Sequence, residues 1–576
     1  MPLTTETKTL RLDLPPEGFR LERGGVLSEI NIAYETCGTL SAAKDNVIFI
    51  CHALTGDAHV AGYHNPADEK SAGWWANMIK PGGGIDTDKF HVVCANILGG
   101  CKGTTGPSST NPATGKPYGK DFPRITVRDI VSVHKLFLEQ IGFAKISAVI
   151  GGSFGGMQAL EMSLAFPGFA DKCVCIASGG TVTTQALAFD VVGRAAITSD
   201  PNFKGGDYYD GGARPDAGLA QARRLAHITY LSEEILKMKF GREKRPETEQ
   251  FQIESYLSHQ GDKFIARFDA NSYIRITEAM DEYDVAAGYS SLAGSIARSL
   301  SKTAFIALSS DWLFFPEQSR ALTSAYLSAK KEATYFCLNA PAGHDSFLTH
   351  IDELRDVMAA FLTLENSATR EAKSAEKSDD YDRLLDMMPP DASSVLDLAC
   401  NEGVLLNRAL GRKPGLRRVG LDISGKALIP VMRSGSGAIL ADIDDDLDMI
   451  PDDSFDCVFL SESLQVLRNP AKALTRLLRI APVALVSFPN FGLWKIRLSL
   501  LFKGRMPKTK RLPHSWYDTP NIHLCTFGDF KGLCRETGCS IEMTGCLATH
   551  FTGKLLNFLG LKNLGSSRVI ARISRK

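Results

Sequence analysis

The nine residues 149–157, VIGGSFGGM, constrain the fold of this chain more than any other segment. Apolar residues 146–150 indicate a buried strand, and the pattern of residues 157–166 is helical. Four glycines surround Ser153, because a strand that turns directly into a helix leaves little room for side chains. Such a turn exposes a serine at a helix N-terminus, where free N–H groups favour negative charge. The pattern predicts a nucleophilic serine, and a glycine-rich turn with an incidental serine is the alternative.

A nucleophilic serine needs a base, so an acid and a histidine should follow along the chain. Asp311 follows the predicted strand at 303–308, and His344 follows the one at 334–338. Side chains that follow neighbouring parallel strands gather at one edge of the sheet. The order Ser153, Asp311, His344 is typical of triads on the α/β-hydrolase fold. Taken alone, Asp311 also fits a turn or helix cap, and His344 also fits a surface loop.

An acyl-serine mechanism also needs two N–H donors for the oxyanion. The first is expected at Phe154, directly after the serine. The second is expected at the strand–loop junction of residues 49–57, FICHALTGD, with Leu54 or Thr55 as the donor. A plain loop between strand and helix is the alternative for that segment. These residues predict acyl transfer through an acyl-serine, but water and other acceptors can use the same triad.

Composition argues against several classes of protein. The 65 Lys+Arg balance the 65 Asp+Glu, which disfavours a dedicated nucleic-acid or anionic-membrane binder. Thirteen cysteines without a C-x-x-C pair disfavour a disulfide framework and a zinc ribbon, and favour a reducing compartment. Residues 1–18 lack the apolar core of a signal peptide, and charged residues and a proline interrupt the apolar run 484–502. We therefore expect a cytoplasmic protein without a membrane span or a metal site.

One polar segment divides the chain into two predicted domains. Residues 366–380 contain almost no large apolar side chain, so they are predicted to be a linker. Alternating strands and helices on both sides predict mostly parallel, doubly wound sheets. The stretch 183–300 breaks this alternation and is mostly helical in pattern, which predicts a lid inserted into the first domain. The predicted domains are residues 1–365 and the smaller 381–576.

Six motifs of the first domain resemble the homoserine O-acetyltransferase family, and the resemblance covers residues 8–365. They are HALTGDAH at 52–59, NILGGCKGTTGPSS at 96–109, GGSFGGMQALE at 151–161, ARRLAHITYLS at 222–232, SSDWLFFP at 309–316 and GHDSFL at 343–348. The resemblance implies acetyl transfer from acetyl-CoA to the γ-hydroxyl of L-homoserine, in methionine biosynthesis, by a ping-pong route. It implies no bound cofactor in this domain, an α/β-hydrolase fold and a homodimer whose helical insertions pack together.

The same resemblance implies a role for individual residues. Ser153 corresponds to the nucleophile, His344 to the general acid–base and Asp311 to its orienting carboxylate. Arg223 corresponds to the arginine that holds the homoserine carboxylate. The next residue, Arg224, is the second candidate for this role. For either arginine, the alternative is a position on a solvated helix face. The residue after the histidine, Asp345, corresponds to the acid that binds the substrate ammonium. A helix N-cap is the other possible role of Asp345.

The prediction of the acyl donor depends on one position of the sequence. Family members that use succinyl-CoA carry an arginine two residues after the triad aspartate, where it suits a second carboxylate. This chain has Leu313 there, which favours acetyl-CoA. Homoserine O-succinyltransferase with the same triad is the alternative function.

The second domain begins with SVLDLACNEG at residues 394–403. A strand ending in an acid and a glycine-containing loop resembles the start of a Rossmann-like, AdoMet-dependent methyltransferase fold. The resemblance makes four residues candidates for AdoMet binding, namely Asp397, Gly403, Asp422 at the ribose position and Asp442 at the adenine position. The run 486–530 is similar to the methionine-biosynthesis protein MetW family, over roughly residues 381–545. Its basic cluster at 503–511 is interpreted as a solvated or interface loop rather than a nucleic-acid patch.

The loop of this second domain departs from the usual D-x-G-C-G-x-G, because Ala399 and Asn401 replace two glycines. Glycine there allows a positive φ and a close approach to the cofactor, and Asn tolerates that conformation better than Ala. The sequence therefore leaves AdoMet binding open. We expect a module that regulates or stabilises the first domain, because fusion keeps its local concentration high. A true methyltransferase and a sensor of AdoMet are the alternatives.

Overall fold

The structure is a computed structural model that describes residues 3–363, 378–506, 508, 514–548 and 550–575. The chain divides into two compact units. The first contains residues 1–325 and 337–362, and the second contains residues 326–336 and 363–576. Of the predicted linker, residues 366–377 lie outside the described residues, and a helix begins at residue 378. Within the described ranges, no helix is long and apolar enough to cross a membrane.

The first part of the chain, up to residue 362, contains twelve strands and eleven α-helices among its described residues. The strands are β1 Lys8–Arg11, β2 Phe19–Arg20, β3 Val26–Leu27, β4 Asn31–Cys37, β5 Val47–Cys51, β6 Ile79–Lys80, β7 Ile85–Asp86, β8 His91–Ala95, β9 Ile146–Gly152, β10 Ala170–Ile176, β11 Lys302–Leu308 and β12 Ala333–Leu338. The helices are α1 Val127–Gln140, α2 Phe154–Ala165, α3 Thr184–Thr198, α4 Asp216–Tyr230, α5 Glu233–Phe240, α6 Gln252–Ile265, α7 Ala270–Asp281, α8 Leu292–Ile296, α9 Pro316–Ser328, α10 Ser346–Thr349 and α11 Asp352–Leu362.

The sheet of the first unit has the strand order β1-β4-β8-β5-β9-β10-β11. Neighbours from β8 to β11 are parallel, and β4 is antiparallel to both β1 and β8. The end of β12 lies beside the end of β11, where the N–H of Ser309 donates to the carbonyl of Leu338. Every residue of β5 is buried, as expected where helices cover both faces of a parallel sheet. This arrangement is the predicted α/β-hydrolase fold.

Helices α3 to α8 interrupt the alternation of strands and helices between β10 and β11. Three of them pack together, because α4 contacts both α3 and α6. Gly218 of α4 allows this close packing, since a Cβ there would lie 2.5 Å from the carbonyl oxygen of Ala196 in α3. This helical layer carries α4 and α6, which supply side chains to the cavity described below.

The second part contains seven strands and eight α-helices among its described residues. The strands are β13 Ser394–Leu398, β14 Arg417–Asp422, β15 Gly437–Leu440, β16 Cys457–Ser461, β17 Val483–Pro489, β18 Cys539–Leu547 and β19 Arg568–Arg575. The helices are α12 Ser378–Leu385, α13 Val404–Arg412, α14 Gly425–Arg433, α15 Pro470–Ile480, α16 Trp494–Lys503, α17 Phe527–Glu536, α18 Phe551–Phe558 and α19 Lys562–Gly565.

The sheet of the second unit has the order β15-β14-β13-β16-β17-β19-β18. The first five strands are parallel, and β19 is antiparallel to both β17 and β18. The order reverses at β13, so the crevice at the carboxyl ends of β13 and β16 is the place where such folds bind ligands. The predicted Rossmann-like class of this unit is confirmed by this topology.

Candidate active site

Ser153 occupies a strained turn between β9 and α2. Its φ of 57° and ψ of −128° are rare for a residue with a side chain, and strain of this kind costs about 1–3 kcal/mol. Two glycines are required by close packing. A Cβ on Gly151 would lie 2.0 Å from the carbonyl oxygen of Gly155, and one on Gly155 would lie 2.1 Å from that of Cys51. The strand–turn–helix geometry inferred from the sequence is present here.

Asp311 and His344 form a buried hydrogen-bonded pair. His344 Nδ1 donates to Asp311 Oδ2 at 2.7 Å, and the two side chains are 4% and 0% exposed. The other carboxylate oxygen of Asp311 accepts the backbone N–H groups of Leu313 and Phe314, at 2.9 and 3.0 Å. With Nδ1 protonated, His344 Nε2 is left to act as a base. The pair therefore has the geometry of a base and its orienting carboxylate.

The charge of Asp311 helps to set the pKa of His344. Burial alone would lower the pKa of His344, but the charge and hydrogen bond of Asp311, together with the charge of Asp345, raise it above its usual value. A raised pKa makes the imidazole a stronger base and means that a larger share is protonated near neutral pH. The imidazolium that forms when His344 accepts a proton is stabilised by the same carboxylates.

Ser153 and His344 line a single cavity of 380 Å³ in the first unit. No hydrogen bond joins Ser153 Oγ to His344 Nε2 in this structure, and such bonds often tighten when substrate binds. The structure also places Leu54, Thr55, Arg223 and Asp345 in the cavity lining. Residues separated by almost 300 positions in the chain therefore face one space.

The predicted oxyanion donors lie next to this cavity. The N–H groups of Leu54 and Thr55 donate to no acceptor among the described residues. Phe154 is the first residue of α2, so its N–H has no partner within the helix. Gln158 Nε2 donates to the carbonyl of His52 at 3.1 Å, which ties α2 to the loop before Leu54. Both candidate donors in that loop remain available, and the choice between Leu54 and Thr55 stays a prediction.

Arg223 and its neighbour point in different directions. Arg223 is 9% exposed, lines the cavity and donates from Nη1 to Thr55 Oγ1 at 3.1 Å. Arg224 Nη1 lies 3.4 Å from Gln221 Oε1 on the same helix, and Arg224 is not part of the cavity lining. The rotation of one residue along α4, about 100°, separates the two side chains. Arg223 is thus the residue available to a substrate carboxylate.

Asp345 lines the cavity and does not cap the short helix α10 that follows it. Burial raises the pKa of Asp345, and the positive charges of His344 and Arg223 oppose that rise. A substrate ammonium beside the carboxylate would oppose it further. Leu313, by contrast, is half-buried and does not line the cavity, so the argument about the acyl donor stays a prediction from sequence.

In the second unit, Asp397 and Asp422 lie at the ends of β13 and β14. Burial raises the pKa of Asp397 well above its usual value, and the charge of Asp422 adds to this effect. Ala399 and Asn401 adopt φ values of 53° and 49°, although neither is glycine, and Gly403 has a φ of 73°. The loop therefore has three left-handed residues, as a glycine-rich loop would allow.

The carboxylates of this second site are already engaged. Asp422 accepts the N–H of Asn401 at 2.8 Å and that of Ser424 at 2.9 Å, one on each oxygen. Asp442 accepts the N–H of Asp444 at 2.8 Å, and its other oxygen pairs with Arg468 Nη2 at 3.2 Å. With two side chains at glycine positions as well, the residues present do not match a typical AdoMet site.

Comparisons with known proteins agree with both halves of this description. A model of the alpha/beta hydrolase fold matches residues 46–351, and a model of the methionine biosynthesis protein MetW matches residues 378–567. A "Bifunctional methionine biosynthesis protein MetXA/MetW" from Rhodopirellula baltica is 40% identical over 550 residues, covering 91% of this chain and 87% of that protein. The chain belongs to the bifunctional MetXA/MetW family.

Relatives of the MetXA half alone are also similar to this chain. A homoserine O-acetyltransferase from Methanosphaerula palustris is 47% identical over 368 residues, covering 62% of this chain and 73% of that protein. The crystal structure of homoserine O-acetyltransferase from Bacillus anthracis aligns with a TM-score of 0.59 at 26% identity, covering 63% of this chain and 99% of that chain. The crystal structure of esterase E22 aligns with a TM-score of 0.57 at 29% identity, covering 62% of this chain and 100% of that chain. The acetyltransferase resemblance stated from six motifs is confirmed.

The sequence analysis of this MetXA half missed a buried ionic cluster beside the cavity. Glu35 of β4 is 2% exposed and pairs with His59 Nδ1 at 2.9 Å and His64 Nε2 at 2.7 Å. His59 Nε2 lies 2.7 Å from the carbonyl oxygen of Ser71. Because His59 faces an acceptor at each nitrogen, these contacts favour a proton on both nitrogens. Glu35, the single acid of strand β4, was the only signal that the sequence offered for this cluster.

The cluster has consequences for charge and for metal binding. Burial would raise the pKa of Glu35, but hydrogen bonds from His59, Thr7 and His64 lower it to about 2. The hydrogen bond to Glu35 likewise overcomes burial and raises the pKa of His59. The ligand atoms of the three residues lie within 4.8 Å of one another, close enough for a metal ion. Their contacts are those of a proton-bridged ion pair, and the predicted absence of a metal stays a prediction.

Proposed function

We propose that the MetXA half transfers the acetyl group of acetyl-CoA to the γ-hydroxyl of L-homoserine, giving O-acetyl-L-homoserine and CoA. One observation carries the proposal. A strained serine, the histidine of a buried His–Asp pair, an arginine and an aspartate that caps no helix line the same 380 Å³ cavity. The arginine and the aspartate suit the carboxylate and ammonium of an amino acid, and the relatives named homoserine O-acetyltransferase support this acceptor.

In the first half-reaction, Ser153 Oγ attacks the thioester carbonyl while His344 Nε2 accepts its proton. The N–H groups of Phe154 and of Leu54 or Thr55 stabilise the oxyanion, an effect worth about 3–4 kcal/mol per donor in other enzymes. The C–S bond then breaks, and His344 returns the proton to the CoA thiolate. The products of this step are acetyl-Ser153 and CoA.

In the second half-reaction, Arg223 binds the homoserine carboxylate and Asp345 binds its ammonium. His344 removes the proton of the γ-hydroxyl, which attacks the acetyl-serine carbonyl. The bond to Ser153 Oγ breaks, and His344 returns the proton to the serine. Homoserine reacts in preference to water because its two charged groups are bound, which positions its hydroxyl at the acetyl-serine ester.

Acetyl-CoA is proposed over succinyl-CoA because Leu313 replaces the arginine that a second carboxylate would need. The relatives that match this half are named acetyltransferases and not succinyltransferases, which also supports acetyl-CoA. No step of the proposal needs a bound cofactor or metal.

Intact-protein mass spectrometry tests the mechanism directly. The full chain is exposed briefly to acetyl-CoA or succinyl-CoA without acceptor, beside Ser153→Ala. We expect one acetyl adduct, which the variant lacks and which homoserine discharges. A succinyl adduct would contradict the argument from Leu313, and the absence of any adduct at short times would contradict the covalent route.

Homodimerisation is proposed on the outer face of α3. Leu187, Val191 and Val192 are 37%, 50% and 56% exposed, and Ala188 and Ala195 extend the same apolar stripe. An apolar helix face of this kind favours a protein partner. Analytical ultracentrifugation should give a dimer for the wild type and a monomer for Val191→Asp, with Thr184→Asp near the end of the helix as a control. A wild-type monomer at micromolar concentration would contradict the proposal.

For the MetW half we propose a regulatory or stabilising role without AdoMet chemistry. The support is the engagement of Asp422 and Asp442 by the chain itself. Isothermal titration of the full chain with AdoMet should give no heat, and comparison of residues 1–365 with the full chain should show lower activity or stability for the fragment. Micromolar AdoMet binding would support the sensor or methyltransferase alternatives. We further propose a cytoplasmic location, because all thirteen cysteines are free.

A further inference from the structure

Two arginines converge on Thr55 at the edge of the catalytic cavity. Arg223 Nη1 donates to Thr55 Oγ1 at 3.1 Å, and Arg267 Nη1 donates to the carbonyl oxygen of the same residue at 3.0 Å. Both guanidinium groups pack against the ring of Phe264, at 4.8 and 5.4 Å from its centroid. Arg267, like Arg223, lines the cavity. Thr55 belongs to the loop expected to supply an oxyanion donor.

Neither arginine has a carboxylate partner within the described residues. Burial and the positive charge of Arg223 both lower the pKa of Arg267, and the charge of Asp57 offsets this only in part. Two neighbouring cations in a partly desolvated cavity repel each other. Each guanidinium has five N–H donors and uses one of them on Thr55, so several remain for a ligand. This arrangement favours the binding of an anion between the two guanidinium groups.

We propose that Arg267 is a second ligand of the acceptor carboxylate, which the two arginines hold together. The proposal rests on the proposed function, because it takes the amino-acid acceptor as the anion that enters between them. A carboxylate between Arg223 and Arg267 relieves their repulsion and gains charge-assisted hydrogen bonds from both.

The test compares two acceptors in the full chain, L-homoserine and its carboxamide, which lacks the negative charge. For Arg267→Gln we expect kcat/KM for homoserine to fall by about ten-fold or more, mainly through KM, as for the loss of a charged hydrogen bond. With the carboxamide, wild type and variant should agree within about three-fold. The rate of acetyl-Ser153 formation from acetyl-CoA without acceptor should also stay within about three-fold.

Arg214→Gln is the matched control. Arg214 donates to the carbonyls of Ile265 and Phe268 on either side of Arg267, but it does not line the catalytic cavity. Its loss removes a nearby positive charge, and we expect KM for homoserine to stay within about two-fold of wild type. Arg267→Lys keeps the charge without the planar fork, and we expect it to recover part of the discrimination against the carboxamide.

Three results would overturn the proposal. An equal loss with homoserine and its carboxamide would mean that Arg267 only anchors the loop. A loss confined to KM for acetyl-CoA would mean that it contacts the donor. A KM for homoserine that is unchanged in a folded Arg267→Gln would remove any role in binding, and if that variant does not fold, an unchanged KM in a folded Arg267→Met would do the same. Failed acetylation of Ser153 in the wild type would instead reject the proposed function.

Discussion

Replacing Glu35 by glutamine tests the buried ion pair at the edge of the cavity. The substitution keeps the shape of the side chain but removes its charge, and it places an amide where three donors, on Thr7, His59 and His64, converge. The pKa of Glu35 falls from 4.5 to about 2 on folding. At about 1.4 kcal/mol per pKa unit, this corresponds to about 3 kcal/mol of folding stability at neutral pH.

The dependence on pH follows from the direction of each shift. Because the folded-state pKa of Glu35 is lowered, its contribution is fully present above pH 4.5 and is lost as the pH falls towards 2. The folded-state pKa of His59 is raised, so its contribution is present below pH 6.5 and is lost as the pH rises through the folded value. The difference between wild type and Glu35→Gln should therefore be largest between pH 4.5 and 6.5.

Urea unfolding followed by tryptophan fluorescence measures this difference. Trp74 reports on the loop, since its Nε1 donates to the carbonyl of Asp57. Glu29→Gln is the control, because the ion pair of Glu29 with the exposed Arg11 should contribute less than about 1 kcal/mol. Equal unfolding free energies of wild type and Glu35→Gln at pH 6 would refute the argument. Stoichiometric metal in the purified wild type, lost in the variant, would show that a metal ion and not a proton bridges the cluster.

Other perturbations have equally definite expected outcomes. Asp345→Asn should shift the acid limb of acetyl-Ser153 formation to lower pH, because the charge of Asp345 helps to raise the pKa of His344; an unchanged limb would contradict this. Asp311→Asn should slow the same step by about 10³–10⁴-fold, measured by rapid quench, since the imidazole loses its orienting acceptor. Gly155→Ala should yield no active soluble enzyme, because its Cβ would overlap the carbonyl oxygen of Cys51, and full activity would refute the steric reading.

The catalytic elements were predictable because their signals are local. The glycines around Ser153 follow from the crowding of one tight turn, and Asp311 and His344 each follow a strand in a short loop. The order of these residues and the neighbouring motifs were enough to predict the fold class and the acetyltransferase family. The two α/β halves were predictable for the same reason, since periodic apolar runs report burial over a few residues at a time.

Other features could not be read from local patterns, because they depend on segments that are distant in the chain. Arg223 and Arg224 are adjacent in sequence, and the packing of α4 decides which of them faces the cavity. Arg267 lies beside Arg223 because both donate to Thr55, which is 212 residues away from Arg267 in the chain. In the MetW half, Ala399 looked unfavourable for a left-handed loop and Asn401 less so, yet both adopt a positive φ.

The sequence of this protein was sufficient to place its chemistry in the α/β-hydrolase class and to name the nucleophile, the base and the acid. Folding added the electrostatics. The raised pKa of His59, the low pKa of Glu35 and the two arginines that have no carboxylate partner among the described residues all arise where three or more separate segments meet. Charges interact through space with a strength that depends on burial and distance. Neither the burial of these charges nor the distance between them can be derived from the order of residues along the chain.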